Sequence, residues 1–112
     1  MKIIDPATVP GGPNPHHVDA RKIYENPHVQ VVMITLQPGE SLKKHITPVD
    51  VFFYVLEGTG TVEIGEEQAT VGKDTLVESP ARIPHRWING SGAVFRVLVV
   101  KTPKPTSDTR IL

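Results

Sequence analysis

Short runs of alternating apolar and polar residues follow one another along most of this chain. No stretch keeps the helical spacing of apolar residues over two turns, whereas the runs are rich in Val, Ile, Phe and Thr. Turn-forming residues separate the runs at intervals of about 8–12 residues, which is typical of antiparallel sheets. The pattern predicts strands over 20–24, 28–36, 50–56, 60–64, 68–71, 75–78, 86–88 and 93–101. We therefore expect an all-β barrel or sandwich.

The two ends of the chain lack this alternation. Residues 5–17 hold four prolines and two glycines, which oppose regular structure and predict an extended arm. The C-terminal residues also contain prolines and predict a loose tail. We divide the chain into a Pro-rich N-terminal arm, a barrel and a C-terminal tail, with bounds 1–17, 18–102 and 103–112.

Composition narrows the class of protein further. A length of 112 residues suits one domain. The 12 basic and 12 acidic residues balance and form no long run of one sign, so we expect neither a nucleic-acid nor a membrane partner. Cysteine is absent, which excludes disulfides and thiol catalysis. The apolar run at the start is too short for a signal peptide, and we expect a cytoplasmic protein.

Strand alternation places two histidines on apolar faces. His45 shares its face with Thr47, Val49, Val51, Phe53 and Val55, and His85 shares its face with Trp87 and Asn89. If these faces point into the barrel, they enclose a dry pocket with few polar groups. Such a pocket is typical of a small-molecule site.

Both histidines also lie in segments that resemble the two cupin motifs. The first segment runs from Gly39 through His45 to Glu57-Gly58, and the second from Pro80 through His85 to Asn89. Together they resemble G-x5-H-x-H-x3,4-E-x6-G and G-x5-P-x-G-x2-H-x3-N. The resemblance covers about residues 28–101. It implies a single-domain antiparallel cupin, or jelly-roll, barrel.

The chain departs from these motifs at positions that carry chemistry. In cupins the motifs supply three histidines and one glutamate to a metal, but here Thr47 replaces the second histidine and Val51 the glutamate. The metal-ligand roles therefore carry over to His45 and His85 only. Arg82 also stands where the second motif has a glycine. At the mouth of the barrel it would be either a receptor for an anionic substrate or a solvated turn residue.

With only two of the four metal ligands present, the sequence does not decide whether a metal is bound or which metal it is. His45 and His85 would hold a divalent transition metal (Zn, Fe, Mn or Ni) loosely, or hold none and make hydrogen bonds instead. A third ligand could come from His28, or from Asp50 if a bulge reverses its direction. The remaining histidines, His16 and His17, fall in the arm and are expected to be exposed loop residues.

Three functions are compatible with these observations. The leading hypothesis is a small-molecule-binding cupin with a labile metal site and no assigned reaction or catalytic residue. The alternatives are a metal-dependent isomerase or epimerase, lyase or dioxygenase that uses His45 and His85, and a non-enzymatic sensor or structural module. The resemblance also implies a homodimer. The residues expected to contact the ligand are His45, Thr47, Val51, Phe53, His85 and Trp87.

Overall fold

Two antiparallel sheets of five strands each make up most of the molecule, in a computed structural model that describes residues 1–112. The only helix is a single 3₁₀ turn, Pro6–Thr8. No helix is long and apolar enough to cross a membrane. The strands are β1 (Asp19–Asn26), β2 (Val29–Leu36), β3 (His45–Ile46), β4 (Asp50–Glu57), β5 (Gly60–Ile64), β6 (Glu67–Val71), β7 (Leu76–Ser79), β8 (His85–Ile88), β9 (Phe95–Thr102) and β10 (Arg110–Ile111). The predicted all-β class is confirmed.

The strand order brings together segments that are far apart in the chain. One sheet has the order β1-β2-β9-β4-β7, and the other has the order β10-β3-β8-β5-β6. Strand β9 lies between β2 and β4 in the first sheet, and β3 lies between β8 and β10 in the second. Residues from distant parts of the sequence therefore face one another across the space between the two sheets.

The core follows from strand alternation. In β4 the buried residues are Val51, Phe53 and Val55, and in β8 they are His85 and Trp87. These side chains point at the facing sheet and exclude water from the interior, which is the main source of stability in such a fold. Three buried aromatic rings pack together in this core. Their centroids lie 5.4 Å apart for Phe53 and Trp87, and 5.0 Å apart for Trp87 and Phe95.

All eight predicted strands are present, but two further strands were missed. Strand β3 has only two residues and is followed by Pro48, so it carries no local alternation. Strand β10 forms by pairing Ile111 with His45 and Arg110 with Ile46. The prediction of a loose C-terminal tail is therefore wrong at Arg110–Ile111, because a partner far away in sequence orders these residues. The division of the chain at residues 17 and 102 stays a prediction.

The N-terminal arm is held against the barrel by polar contacts. Asp5 caps the 3₁₀ turn by accepting a hydrogen bond from the Ala7 N–H (3.0 Å). The guanidinium of Arg21, on β1, donates to the Pro6 carbonyl oxygen at 3.0 Å. The side-chain amide of Asn14 donates to the Val18 carbonyl oxygen at 2.7 Å. The arm therefore has defined contacts along its length, and its residue His16 reaches the interior of the barrel.

Candidate functional site

A cavity of about 180 Å³ opens between the two sheets near one end of the barrel. Sixteen residues line it, eight of them hydrophobic. Its polar groups include three histidines and one lysine, and its lining contains neither aspartate nor glutamate. The residues that shape its chemistry are His16, His45, Thr47, Phe53, His85 and Lys101.

His45 and His85 are adjacent residues on paired strands. His45 on β3 lies opposite His85 on β8, and their ring centroids are 4.5 Å apart in an edge-to-face arrangement. Only 8% of His45 and 2% of His85 is exposed. Phe53 from the facing sheet packs edge-on against His85 at 5.4 Å. Antiparallel pairing thus brings the two motif histidines side by side, because both side chains point into the barrel.

The ring of His85 is held by two hydroxyl groups. The Ser79 Oγ forms a hydrogen bond with Nδ1 at 2.7 Å, and the Thr47 Oγ1 forms one with Nε2 at 3.3 Å. Both hydroxyls are buried and can donate or accept, so they satisfy either neutral tautomer of the ring. Thr47, which occupies the second histidine position of the motif, therefore serves here as a hydrogen-bond partner of His85.

The backbone groups of Lys43 orient the other two histidines. The Lys43 carbonyl oxygen accepts a hydrogen bond from Nδ1–H of His45 at 2.7 Å. The Lys43 N–H donates to Nδ1 of His16 at 2.9 Å. His45 therefore carries its proton on Nδ1 and has a free lone pair on Nε2, whereas neutral His16 carries its proton on Nε2. The two rings lie edge to face with centroids 4.8 Å apart.

Burial keeps the three imidazoles uncharged at neutral pH. Loss of hydration is the main cause in each case, and it lowers the pKa of His16 to about 4 and that of His85 to about 3. The pKa of His45 is lowered for the same reason, although its hydrogen bond to Lys43 opposes the shift. The positive charge of Lys101 lowers the pKa of all three rings further.

Lys101 is the one cationic side chain that lines the cavity. It follows Phe95, Val97 and Val99 on the inward face of β9, at the end of the strand. It forms no salt bridge, whereas Lys22, Lys44 and Lys104 each pair with a glutamate. Burial lowers the pKa of the Lys101 ammonium group because a charged amine loses hydration there.

The predicted ligand-contact residues divide into two groups. His45, Thr47, Phe53 and His85 line the cavity, so the structure brings them together. Val51 and Trp87 do not line it, so the structure does not bring these two residues to the cavity. Trp87 is fully buried between Phe53 and Phe95, and Val51 is 2% exposed in the core below the cavity. Whether the four lining residues bind a ligand stays a prediction.

The two suggested additional ligands lie outside the site. His28 is exposed in the turn between β1 and β2, because Asn26 and Pro27 end the first strand there. Asp50 is exposed at the start of β4 and accepts a hydrogen bond from the Ala81 N–H at 2.8 Å. No bulge reverses the direction of its side chain. The alternation of side chains along β4 therefore points Asp50 away from the cavity, as expected.

Two titratable residues of the cavity, His16 and Lys101, were not among the predicted ligand-contact residues. The expectation that His16 is exposed is wrong: it is half-buried against His45, while its neighbour His17 is exposed as predicted. No local pattern could reveal this, since the position of the arm depends on contacts with β1 and Lys43. The inward position of Lys101 was predictable from the sequence, because Lys101 continues the alternation of inward-facing residues along β9.

The donor set does not fit a tightly held divalent metal. Zinc sites use three or four protein ligands. Here Nδ1 of His16 accepts the Lys43 N–H, so Nε2 of His16 carries a proton and has no lone pair to offer. The nearest further donors are hydroxyls, and no group of three or more His, Cys, Asp or Glu has the arrangement of a metal site. Only His45 and His85 remain as ligands.

Comparison with known proteins identifies the family and the fold. The sequence profile described as the cupin domain matches residues 32–101. A search of curated proteins finds no match. Among solved structures, TT1209 from Thermus thermophilus is 29% identical, with a TM-score of 0.80 over 94% of this chain and 100% of that one.

Two more distant structures share the fold over nearly the full length. The polyketide cyclase RemF from Streptomyces resistomycificus is 21% identical, with a TM-score of 0.84 over 100% of this chain and 85% of that one. A conserved protein with a double-stranded β-helix domain from Klebsiella pneumoniae is 15% identical, with a TM-score of 0.83 over 99% and 96% of the two chains. These likenesses confirm the antiparallel barrel predicted from the two motifs.

Proposed function

Because the chain belongs to the cupin domain family, we propose that it binds a small organic molecule in the cavity between its sheets, in contact with His45 and His85. The observation that carries this proposal is the free Nε2 of His45. Its Nδ1 is occupied by the Lys43 carbonyl oxygen, and no protein group bonds to Nε2. An acceptor without a protein partner that faces a mainly apolar cavity is the kind of group that orients a ligand.

The cavity sets limits on the size and polarity of the ligand. A volume of about 180 Å³ suits a molecule somewhat larger than benzene, given that an apolar cavity of about 150 Å³ holds benzene. Apolar walls favour a ligand that is mostly hydrocarbon. The neutral imidazoles favour a ligand that also carries a hydrogen-bonding group.

The binding proposal can be tested with a library of small molecules of this size. Protein selectively labelled in its histidine rings is titrated, and the ring ¹⁵N resonances are followed. We expect binders to shift the resonances of His45 and His85, and His45→Ala to weaken their binding by about ten-fold, the value of one hydrogen bond near 1.4 kcal/mol. His28→Ala is the control, since His28 is exposed. Binders that shift neither cavity histidine would contradict the proposal.

The tautomers of His45 and His16 favour proton transfer as a second candidate function. His45 offers a free lone pair and neutral His16 an N–H donor, with ring centroids 4.8 Å apart. A ligand with an acidic C–H beside a carbonyl could lose its proton to His45 while His16 stabilises the oxygen. The polyketide cyclase RemF has the same fold. Exchange of that C–H for deuterium in D₂O tests this function, and we expect His45→Ala to abolish the exchange.

We expect any metal on His45 and His85 to be labile, so no step of this proposal uses one. Dialysis against a chelator should leave ligand binding unchanged. One equivalent of metal that survives dialysis in the wild-type protein, and is lost in His85→Ala, would favour the metal-dependent alternative instead.

We also propose that the protein is a homodimer. Strand β1 is at the edge of its sheet and has one unpaired side, and its Tyr24 is an exposed large apolar residue. Sedimentation should then give twice the chain mass of 12.3 kDa. A mass of one chain at micromolar concentration would exclude the dimer.

A further inference from the structure

Lys101 lies at the boundary between two different environments. It and Thr109 line the mainly apolar cavity, and the same two residues line a neighbouring open cleft whose lining is mostly polar. The other residues of that cleft are Gln30 and the C-terminal segment 105–108. A molecule that occupies the cavity therefore has its apolar body beside the histidines and its outer end beside the ammonium group.

The charge of Lys101 is not balanced by the protein. No salt bridge involves Lys101, and the cavity lining contains no carboxylate. Asp108 lines the adjoining cleft but does not pair with Lys101 either. A half-buried ammonium group without a counter-charge is costly, and an anion placed beside it offsets that cost.

The walls of the cavity define the rest of the ligand. Val32, Ile34 and Val99 are apolar and face the space beside Lys101. They provide no partner for a second charge, so a dianion or a zwitterion would leave one charge unpaired in an apolar environment.

From these observations, and resting on the proposed function of the cavity, we propose that the natural ligand is a small apolar monoanion whose carboxylate, or an equivalent anionic group, binds Lys101. The apolar part of the ligand then occupies the space next to Phe53 and the histidines. The protein would discriminate against neutral molecules of the same shape, because only the anion compensates the ammonium charge.

Benzoate and benzamide are suitable probes, since they have the same size and differ in charge. Their binding is measured by calorimetry at pH 7.5, together with the histidine ring resonances. We expect benzoate to bind wild-type protein at least about ten-fold more tightly than benzamide, the value of a charge-assisted hydrogen bond. Lys101→Met, which keeps the length and apolar stem of the side chain, should remove this preference and leave benzamide binding unchanged.

Two matched variants control for general charge effects. Lys73→Met removes an exposed lysine outside the cavity and should leave the preference intact. Asp108→Asn removes the nearest cleft carboxylate and should keep or increase benzoate affinity. Thermal unfolding of each variant shows that it is folded.

The outcomes separate this inference from the proposed function. Equal binding of the two probes, a preference that survives Lys101→Met, or no benzoate binding at millimolar concentration would each overturn the monoanion proposal. Benzamide binding that shifts His45 and His85 would at the same time support the cavity as a ligand site. Probe binding that leaves both rings unshifted would contradict the proposed function itself.

Discussion

The position of a side chain along the barrel decides whether it reaches the cavity. His45, Thr47, Phe53 and His85 alternate with outward residues, and all four line the cavity. The alternation along a strand determines which face of the sheet a side chain is on, but not how far along the barrel the side chain lies. Trp87 shares the inward face of His85 yet lies in the core, because Phe53 and Phe95 pack around it. The alternation also places Lys101 inward, although a charged residue at a strand end is easily assigned to the tail.

Arg82 provides a residue-scale prediction about stability. It stands at a motif glycine and has φ 65°, in the left-handed region that favours glycine. Arg82→Gly should therefore raise the free energy of unfolding by roughly 0.5–1 kcal/mol, since relief of about 1–2 kcal/mol of strain exceeds the added chain entropy. Urea denaturation measures the change.

Arg82→Ala is the matched control for this substitution. Alanine removes the exposed side chain but keeps a Cβ at the same φ, so its stability should stay near that of the wild-type protein. An equal gain from alanine and glycine would show that the arginine side chain, and not the backbone, is responsible.

Among the secondary-structure elements, the long strands were predictable and the short ones were not. Strands β4 and β9 have eight residues each and a clear alternation. Strands β3 and β10 have two residues each: β3 pairs with both β8 and β10, and β10 pairs with β3. The arm is similar, since His16 reaches the cavity only through contacts with Lys43 and His45. Elements that form only through pairing with distant residues show no local periodicity of apolar residues from which they could be predicted.

At the scale of the elements, we predict the effect of a substitution at Gly60, the first residue of β5 after the turn from β4. A Cβ on Gly60 would lie 2.6 Å from the ring of Phe95, which is fully buried and packed on Trp87. Because that ring cannot move aside, Gly60→Ala should destabilise the protein by about 1–3 kcal/mol, the usual cost of overpacking. Thermal or urea unfolding provides the measurement.

Gly72→Ala is the control for the turn. Nothing lies within 4 Å of a Cβ at Gly72, so alanine there should have little effect on unfolding. A loss of stability in Gly72→Ala as large as that in Gly60→Ala would rule out contact with Phe95 as the cause.

At the scale of the whole molecule, buried neutral histidines make stability depend on pH. The folded pKa of His85 is about 3, below its ordinary value of 6.5, so the folded state binds fewer protons than the unfolded state between these values. Its contribution to stability is complete above pH 6.5 and is lost as pH falls. His45, Lys101 and His16 face the ring and all oppose its protonation.

We therefore expect the free energy of unfolding to fall between pH 6.5 and pH 5, by up to about 2 kcal/mol from His85. Half-buried His16, with a pKa of about 4, adds a smaller loss in the same direction. Chemical denaturation at several pH values measures the slope. His85→Gln should flatten it, whereas His28→Gln at an exposed position should not. A slope unchanged in His85→Gln would contradict this account of its burial.

A small molecule that occupies the cavity between the sheets should be excluded when the cavity is filled by a larger side chain. Ala20 lines the cavity, and Ala69 is exposed on a strand at the far edge of the other sheet. The affinity of the tightest-binding small molecule is measured for Ala20→Leu, Ala69→Leu and the wild-type protein. We predict that Ala20→Leu weakens binding by at least about ten-fold, since added methyl groups compete for the ligand's space, and that Ala69→Leu has no effect. Unchanged affinity in a folded Ala20→Leu protein would show that the ligand binds elsewhere.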